Sequence, residues 1–186
     1  MRRLLAAIAL IVCAACAPPV LLEHQAPATL DREPPGYEIA EVIRVVDGDT
    51  IAVVVTDRAD GPGAGEAQIG AEYNVRLTGI DTPESVDPRS PVECFGKEAS
   101  AATTALLDGA EVVMVKDVED TDRYDRLLRY VYVGAEMANA RLVVNGYAHV
   151  YTYPPNVRHA DLFVEMERQA RENERGLWST ETCRGW

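Results

Sequence analysis

Tyr37-Glu38-Ile39-Ala40-Glu41-Val42-Ile43-Arg44-Val45-Val46-Asp47-Gly48-Asp49-Thr50-Ile51-Ala52-Val53-Val54-Val55-Thr56 is the stretch on which the fold turns. Two β-branched-rich runs, Tyr37 to Val46 and Ile51 to Thr56, flank Asp47-Gly48-Asp49. An Asp-Gly pair between such runs is a strong hairpin signal. Downstream, residues 57–70 are mainly Gly, Ala and Asp with one proline, which predicts a mobile loop. Strand character resumes over Glu72 to Thr78, and Pro83 to Pro91 is again irregular.

Gly96 to Asp108 carries Ala99, Thr103 and Leu106 at helical spacing, with Gly109 as a stop. Glu111 to Val118 and Leu127 to Val133 predict strands, and Ala135 to Asn145 a short helix closed by Gly146. Ala148 to Tyr153 is extended up to Pro154-Pro155. Asp161 to Glu174 is amphipathic, with Phe163, Met166 and Ala170 along one face, and Trp178 predicts a core plug. The order is strands, helix, strands, helix, strand, helix. That defines an α+β chain built around a small β-barrel.

The two ends have a different character. Met1-Arg2-Arg3, the apolar run Leu4 to Val12 and the small residues that follow form a signal-peptide pattern over residues 1–15, too short to span a bilayer. Two cleavage readings stay open. Ala15-Cys16-Ala17 fits a site that releases a free secreted protein. Ala14-Ala15-Cys16 resembles a bacterial lipobox that leaves Cys16 acylated and membrane-anchored, although Cys13 stands where leucine is usual. Both put the protein outside the cytoplasm of a bacterium. Residues 16–36, with five prolines, form a tether, residues 37–179 the folded domain and residues 180–186 a tail. With Cys16 either acylated or lost with the leader, Cys94 and Cys183 are the cysteines that remain to pair. In an oxidising compartment that even remainder favours a bridge between them, with two free thiols as the alternative.

The net charge of −12 argues against a protein that holds nucleic acid on a broad basic face. A hydrolase needs only a local positive site, because it must let its product go. Asp49 and Asp81 fall at predicted strand ends, where a barrel mouth can bring them together. Taken singly, Asp47-Gly48-Asp49 is a hairpin turn and Asp81-Thr82-Pro83 a strand exit. Jointly, with Glu84, Arg76 and Arg126, they supply what phosphodiester hydrolysis requires: oxygens for a hard cation, a base for water, and guanidinium groups for phosphate. Arginine suits the last task because its planar fork grips two oxygens and stays charged.

These motifs, Val46-Asp47-Gly48-Asp49-Thr50, Arg76-Leu77-Thr78-Gly79-Ile80-Asp81-Thr82-Pro83-Glu84 and Asp122-Arg123-Tyr124-Asp125-Arg126, resemble those of the staphylococcal-nuclease family. The likeness runs from about Tyr37 to Ser179, and Gly96-Lys97-Glu98-Ala99, Asn139, Leu142-Val143 and Gly176-Leu177-Trp178 also fit it. It implies a five-stranded OB-like β-barrel with three α-helices. It further implies Ca2+ held by Asp49, Asp81 and the Thr82 carbonyl, Glu84 as general base or water-orienting group, and Arg76 and Arg126 as phosphate clamps. Tyr124, Tyr151 and Tyr153 would lie around the substrate nucleotide. The implied activity is hydrolysis of DNA and RNA, preferably single-stranded, leaving 3′-phosphates, by a monomer. The competing expectation is a non-catalytic OB-like nucleic-acid-binding module on the cell surface. It draws on two departures: Asp125 stands where the family commonly has glycine, and Glu111, Asp117, Glu119, Asp120 and Asp122 form an acidic edge. A third departure is the long first hairpin, which could cover the substrate groove. His149 and His159 are poor catalytic candidates.

Overall fold

β1 (Tyr37–Asp47) and β2 (Thr50–Ala59) form the hairpin expected around Asp47-Gly48-Asp49. This computed structural model describes residues 30–85 and 93–183. Three register shifts along the β1–β2 ladder bend these long strands. β2 pairs with β3 (Glu72–Leu77), β1 with β5 (Glu111–Val115), and β5 with β6 (Leu127–Val133), all antiparallel. A parallel pairing of β3 with β6 closes the five-stranded barrel. Three helices, α1 (Gly96–Leu107), α2 (Ala138–Val144) and α3 (Ala160–Glu172), complete the α+β architecture. Among the described residues, no helix is long and apolar enough to cross a membrane.

The core follows from the alternation in the strands. Ala40, Val42, Ile51, Val53, Val55, Val75, Leu77, Met114, Tyr130 and Tyr132 are all buried. Phe163 and Met166 of α3 and Leu142 and Val143 of α2 pack into the same cluster. Fully burying each large apolar side chain stabilises the fold by about 1.5–3 kcal/mol. The buried Asn139 of α2 bridges the closing seam: it accepts from the Val131 amide at 2.9 Å and donates to the Thr78 carbonyl at 2.9 Å.

Two short ladders revise the sequence reading near the second helix. Glu136–Met137 is β7, paired with the end of β6, so the helix begins at Ala138 rather than Ala135. Of the extended run expected over 148–153, only β8 (His149–Val150) is strand, and it pairs with β4 (Ile80–Asp81). Trp178 is half-buried and caps the domain instead of plugging its core. The guanidinium of Arg171 stacks 3.7 Å from its ring centroid, and His149 meets it edge-on at 5.0 Å.

Residues 57–70 are packed down, contrary to the mobile loop their composition suggests. Gly63 donates to the Pro35 carbonyl at 2.9 Å and accepts from the Lys116 amide at 2.7 Å. Gly65 donates to Glu38 Oε1 at 2.6 Å, and Glu66 to Asp120 Oδ2 at 3.2 Å. The small residues permit this approach: a Cβ on Gly65 would lie 2.0 Å from both Arg129 Nη2 and Asp120 Oδ1. Beneath the loop, Arg129 has a fully buried side chain and uses all its nitrogens on Glu38, Asp120 and the Asp120 and Leu128 carbonyls.

The stretch from Leu30, expected as tether, is also part of the domain. Leu30–Arg32 forms a 3₁₀ turn, and the buried Glu33 carboxylate accepts from Tyr132, His159 and Arg158. His159 is thereby a satisfied packing residue, set edge-on to Tyr130 at 4.5 Å. Cys94 and Cys183 form the expected bridge, with Cα atoms 5.9 Å apart. The leader, Cys16 and most of the Pro83 to Pro91 loop lie outside the described residues.

Candidate active site

The β1–β2 turn and the end of β3 meet at one mouth of the barrel. The turn also packs against the residue after β4 (Ile80–Asp81), tightly enough to require glycine at position 48, where a Cβ would lie 2.6 Å from Thr82 Oγ1. Thr103 of α1 donates to the Gly48 carbonyl and holds the turn from behind. The Leu77 amide bonds to the Asp49 carbonyl at 2.9 Å, locking the two strand ends together. The resulting cleft, about 960 Å³, takes in Asp47, Asp49, Arg76, Asp81, Thr82, Glu84, Arg126, Tyr124, Tyr151 and Tyr153. Every catalytic, metal-binding and substrate-binding candidate named from the sequence lines it.

Arg76 organises the floor. Its Nη2 lies 3.1 Å from Asp49 Oδ2 and 2.6 Å from Asp81 Oδ1, so both carboxylates converge on one nitrogen. Its Nη1 donates to the Ile80 and Leu77 carbonyls at 2.7 and 3.0 Å, which fixes the fork. Asp49 is buried; its Oδ2 also accepts from the amide and hydroxyl of Thr82, and its Oδ1 from the Thr50 hydroxyl. Burial pushes the Asp81 carboxyl above its ordinary value; Arg76 opposes this and the charge of Asp49 adds to it. Asp47, absent from the candidates read from the motifs, sits in the same cleft. Burial raises its carboxyl too, against hydrogen bonds from Ser85 and Gly48, and the charges of Asp49 and Glu84 push further. The floor thus carries more acid than its cations compensate.

That imbalance bears on a cation. Among the described residues, no three His, Cys, Asp or Glu side chains converge as a metal cage. What the floor offers is two carboxylates with an acid surplus around them. Such a hard, oxygen-only set suits calcium, which completes its shell with carbonyls, waters and substrate.

Arg126 faces this floor from the loop between β5 and β6. Asp122 places it: Asp122 Oδ1 accepts from the amides of Tyr124 and Arg126, and Oδ2 from Arg126 Nε at 2.8 Å and Nη2 at 2.6 Å. These hydrogen bonds outweigh burial and hold the Asp122 carboxyl below its ordinary value. Among the described residues, Arg126 Nη1 reaches only the Thr50 hydroxyl, at 3.5 Å. Asp125, which stands where the family commonly has glycine, has φ 59° and is exposed. A left-handed turn position accounts for the family's glycine there, and aspartate is among the residues that tolerate it. At the rim Tyr124, Tyr151 and Tyr153 are each more than half exposed. Arg123 stacks on the Tyr124 ring at 4.7 Å and donates to its hydroxyl.

Comparison with known proteins agrees with this geometry. Residues 74–180 match the family model described as staphylococcal nuclease homologue. The chain is 37% identical over 139 residues to the thermonuclease of Staphylococcus hyicus, covering 75% of each chain. To the thermonuclease of Staphylococcus intermedius it is 38% identical over 137 residues, covering 74% of each. It is 33% identical over 138 residues to endonuclease YncB of Bacillus subtilis (strain 168), covering 73% of this chain and 59% of that one. A closed five-stranded barrel with an acid-and-arginine cleft at its mouth defines the class. The chain belongs to the staphylococcal nuclease homologue family.

Proposed function

We propose that the protein is a nuclease, a hydrolase of phosphodiester bonds in DNA and RNA. The observation that carries this reading is the shared contact of Asp49 and Asp81 with Arg76 on the cleft floor, faced by an Arg126 whose Nη1 is only weakly engaged. Asp49, Asp81 and the carbonyl of Thr82 would hold Ca2+. When bound, the cation neutralises phosphate charge and takes up acid that Arg76 alone leaves uncompensated. Glu84 would take a proton from the attacking water. Arg76 and Arg126 then stabilise charge on the phosphoryl oxygens, where preorganised donors act most strongly. Exposed tyrosines at the rim favour unstacked bases, each stack contributing about 1–3 kcal/mol irrespective of sequence. Single strands are therefore the preferred substrate, and by the family's chemistry the products carry 3′-phosphates. The leader supports an extracytoplasmic enzyme, either secreted or anchored through acylated Cys16.

Against the reading as a non-catalytic binding module stands the place of Asp125, exposed at a left-handed turn position. The test is cleavage of heat-denatured DNA with calcium, with magnesium or with chelator, beside Glu84→Gln and Arg126→Ala. Calcium-dependent cleavage lost in both variants is the expected result. Intact DNA under all conditions from a folded protein would overturn the proposal.

A further inference from the structure

Glu93 belongs to none of the motifs that build the cleft, yet it grips the main chain of Glu84 twice. Its amide donates to the Glu84 carbonyl at 2.8 Å, and its Oε2 accepts from the Glu84 amide at 3.0 Å. Glu93 is itself anchored. The next residue, Cys94, is bonded to Cys183, and the Gly96 amide donates to the Glu93 carbonyl at 3.1 Å. The first turn of α1 also closes on the same point: a Cβ on Gly96 would lie 2.5 Å from the Glu84 carbonyl oxygen. Residue 84 follows β4, which ends at Asp81, and precedes α1, which starts at Gly96. Within that connection the amide and carbonyl of Glu84 are both taken by Glu93.

We propose that Glu93 is a positioning residue for Glu84, and that the Cys94–Cys183 bridge is its anchor. The inference rests on the nuclease reading, in which Glu84 handles the attacking water. Two hydrogen bonds across one residue fix both its position and the orientation of its peptide planes. The side chain of Glu84 then leaves the backbone in one direction. A displacement of about 1 Å in a reacting group is enough to cost about 10²-fold in rate. Glu93 also lines the cleft, where its charge adds to those that push the Asp81 carboxyl up; the positioning task itself uses the carboxylate as an acceptor at a given reach.

That distinction supplies the test. Glu93→Gln keeps the acceptor and the reach but loses the charge, whereas Glu93→Asp keeps the charge and loses the reach. The kcat and KM of the full chain are measured on heat-denatured DNA at saturating calcium, with thermal midpoints recorded in parallel. Glu93→Gln is expected to lose no more than about threefold in kcat, and Glu93→Asp about 10- to 100-fold, with KM within about twofold. The Cys94→Ser, Cys183→Ser double variant is expected to fall in kcat in the same sense. The reverse ranking, an active Asp variant beside an inactive Gln variant, would show a charge role and overturn the proposal. Full kcat in both Glu93→Asp and the double serine variant would overturn it as well. Failure of the unaltered protein to cleave at all sinks the nuclease reading instead, so the two failures are told apart.

Discussion

Arg126 and Arg129 stand three residues apart, each paired with an aspartate of the same loop, and they do opposite work. Arg129 lies fully buried and spends every nitrogen on Glu38, Asp120 and two carbonyls. Arg126 is oriented by Asp122 through Nε and Nη2 but, among the described residues, leaves Nη1 with a single long contact, on the wall of an open cleft. A guanidinium whose donors are all taken inside the protein is scaffold. One held from behind with donor capacity facing solvent is placed for an anion that arrives from outside. The acids divide in the same way. Burial alone would raise Glu33, but hydrogen bonds from His159 and Tyr132 and the charges of His159 and Arg158 outweigh it and hold its carboxyl below the ordinary value. Asp47 and Asp81 have partners too, Ser85 and Gly48 for the one and Arg76 for the other. Burial and the neighbouring acids outweigh them and hold both carboxyls above their ordinary value.

The sharpest way to break this contrast is to truncate both arginines. Arg129→Ala strands the buried Glu38 and should cost about 3–5 kcal/mol, read from the denaturant midpoint. Arg126→Ala should move that midpoint far less, by about 1 kcal/mol at most for its partly exposed pair with Asp122. Its kcat should fall about 10²–10³-fold, the range for loss of one preorganised donor. Equal stability losses in the two variants would erase the distinction.

Calcium tests the uncompensated acids. At about 100-fold over its dissociation constant it should stabilise the folded protein by about 2.7 kcal/mol, and Asp49→Ala should abolish the gain in a thermal melt. Calcium that leaves the melting curve of the unaltered protein in place would refute this use of the floor.

Glu33 gives the smallest effect, and its sign is fixed. Its folded pKa lies below its unfolded one, so its contribution is complete above the ordinary carboxylate value of 4.5 and decays as pH falls through the lowered folded value. Glu33→Gln should therefore cost about 1.5 kcal/mol at pH 7 and progressively less in acid. A penalty independent of pH would place its role in packing rather than charge.

The sequence showed the barrel and the cleft unequally. Alternating apolar strands and the Asp-Gly turn were legible because they are local, and so were the cleft acids and arginines because they sit in short motifs. Asp122 was readable in principle: an aspartate opening a tight turn commonly accepts amides two residues on. Beside Glu119 and Asp120, however, it reads as one more charge of an acidic edge. Arg129 carried a signal too, being a charge inside the apolar run Leu127 to Val133, which demands a buried partner. Glu38, its partner, is 91 residues earlier, and no local pattern joins them. Nor does any pattern reveal that Glu93 will close on Glu84, because that contact depends on where α1 begins and where the bridge to Cys183 pulls.

The packed hairpin loop has a consequence for how such a chain can change. An insertion between surface strands is ordinarily free to drift, grow or disappear. Here the amide of Gly65 completes the coordination of Glu38, and the missing Cβ of Gly65 makes room for Arg129 and Asp120. The loop and the interior charge should therefore change together. A family member with a short β2–β3 connection should carry an uncharged side chain where this one has Arg129, and grafting either feature alone should fail where grafting both succeeds.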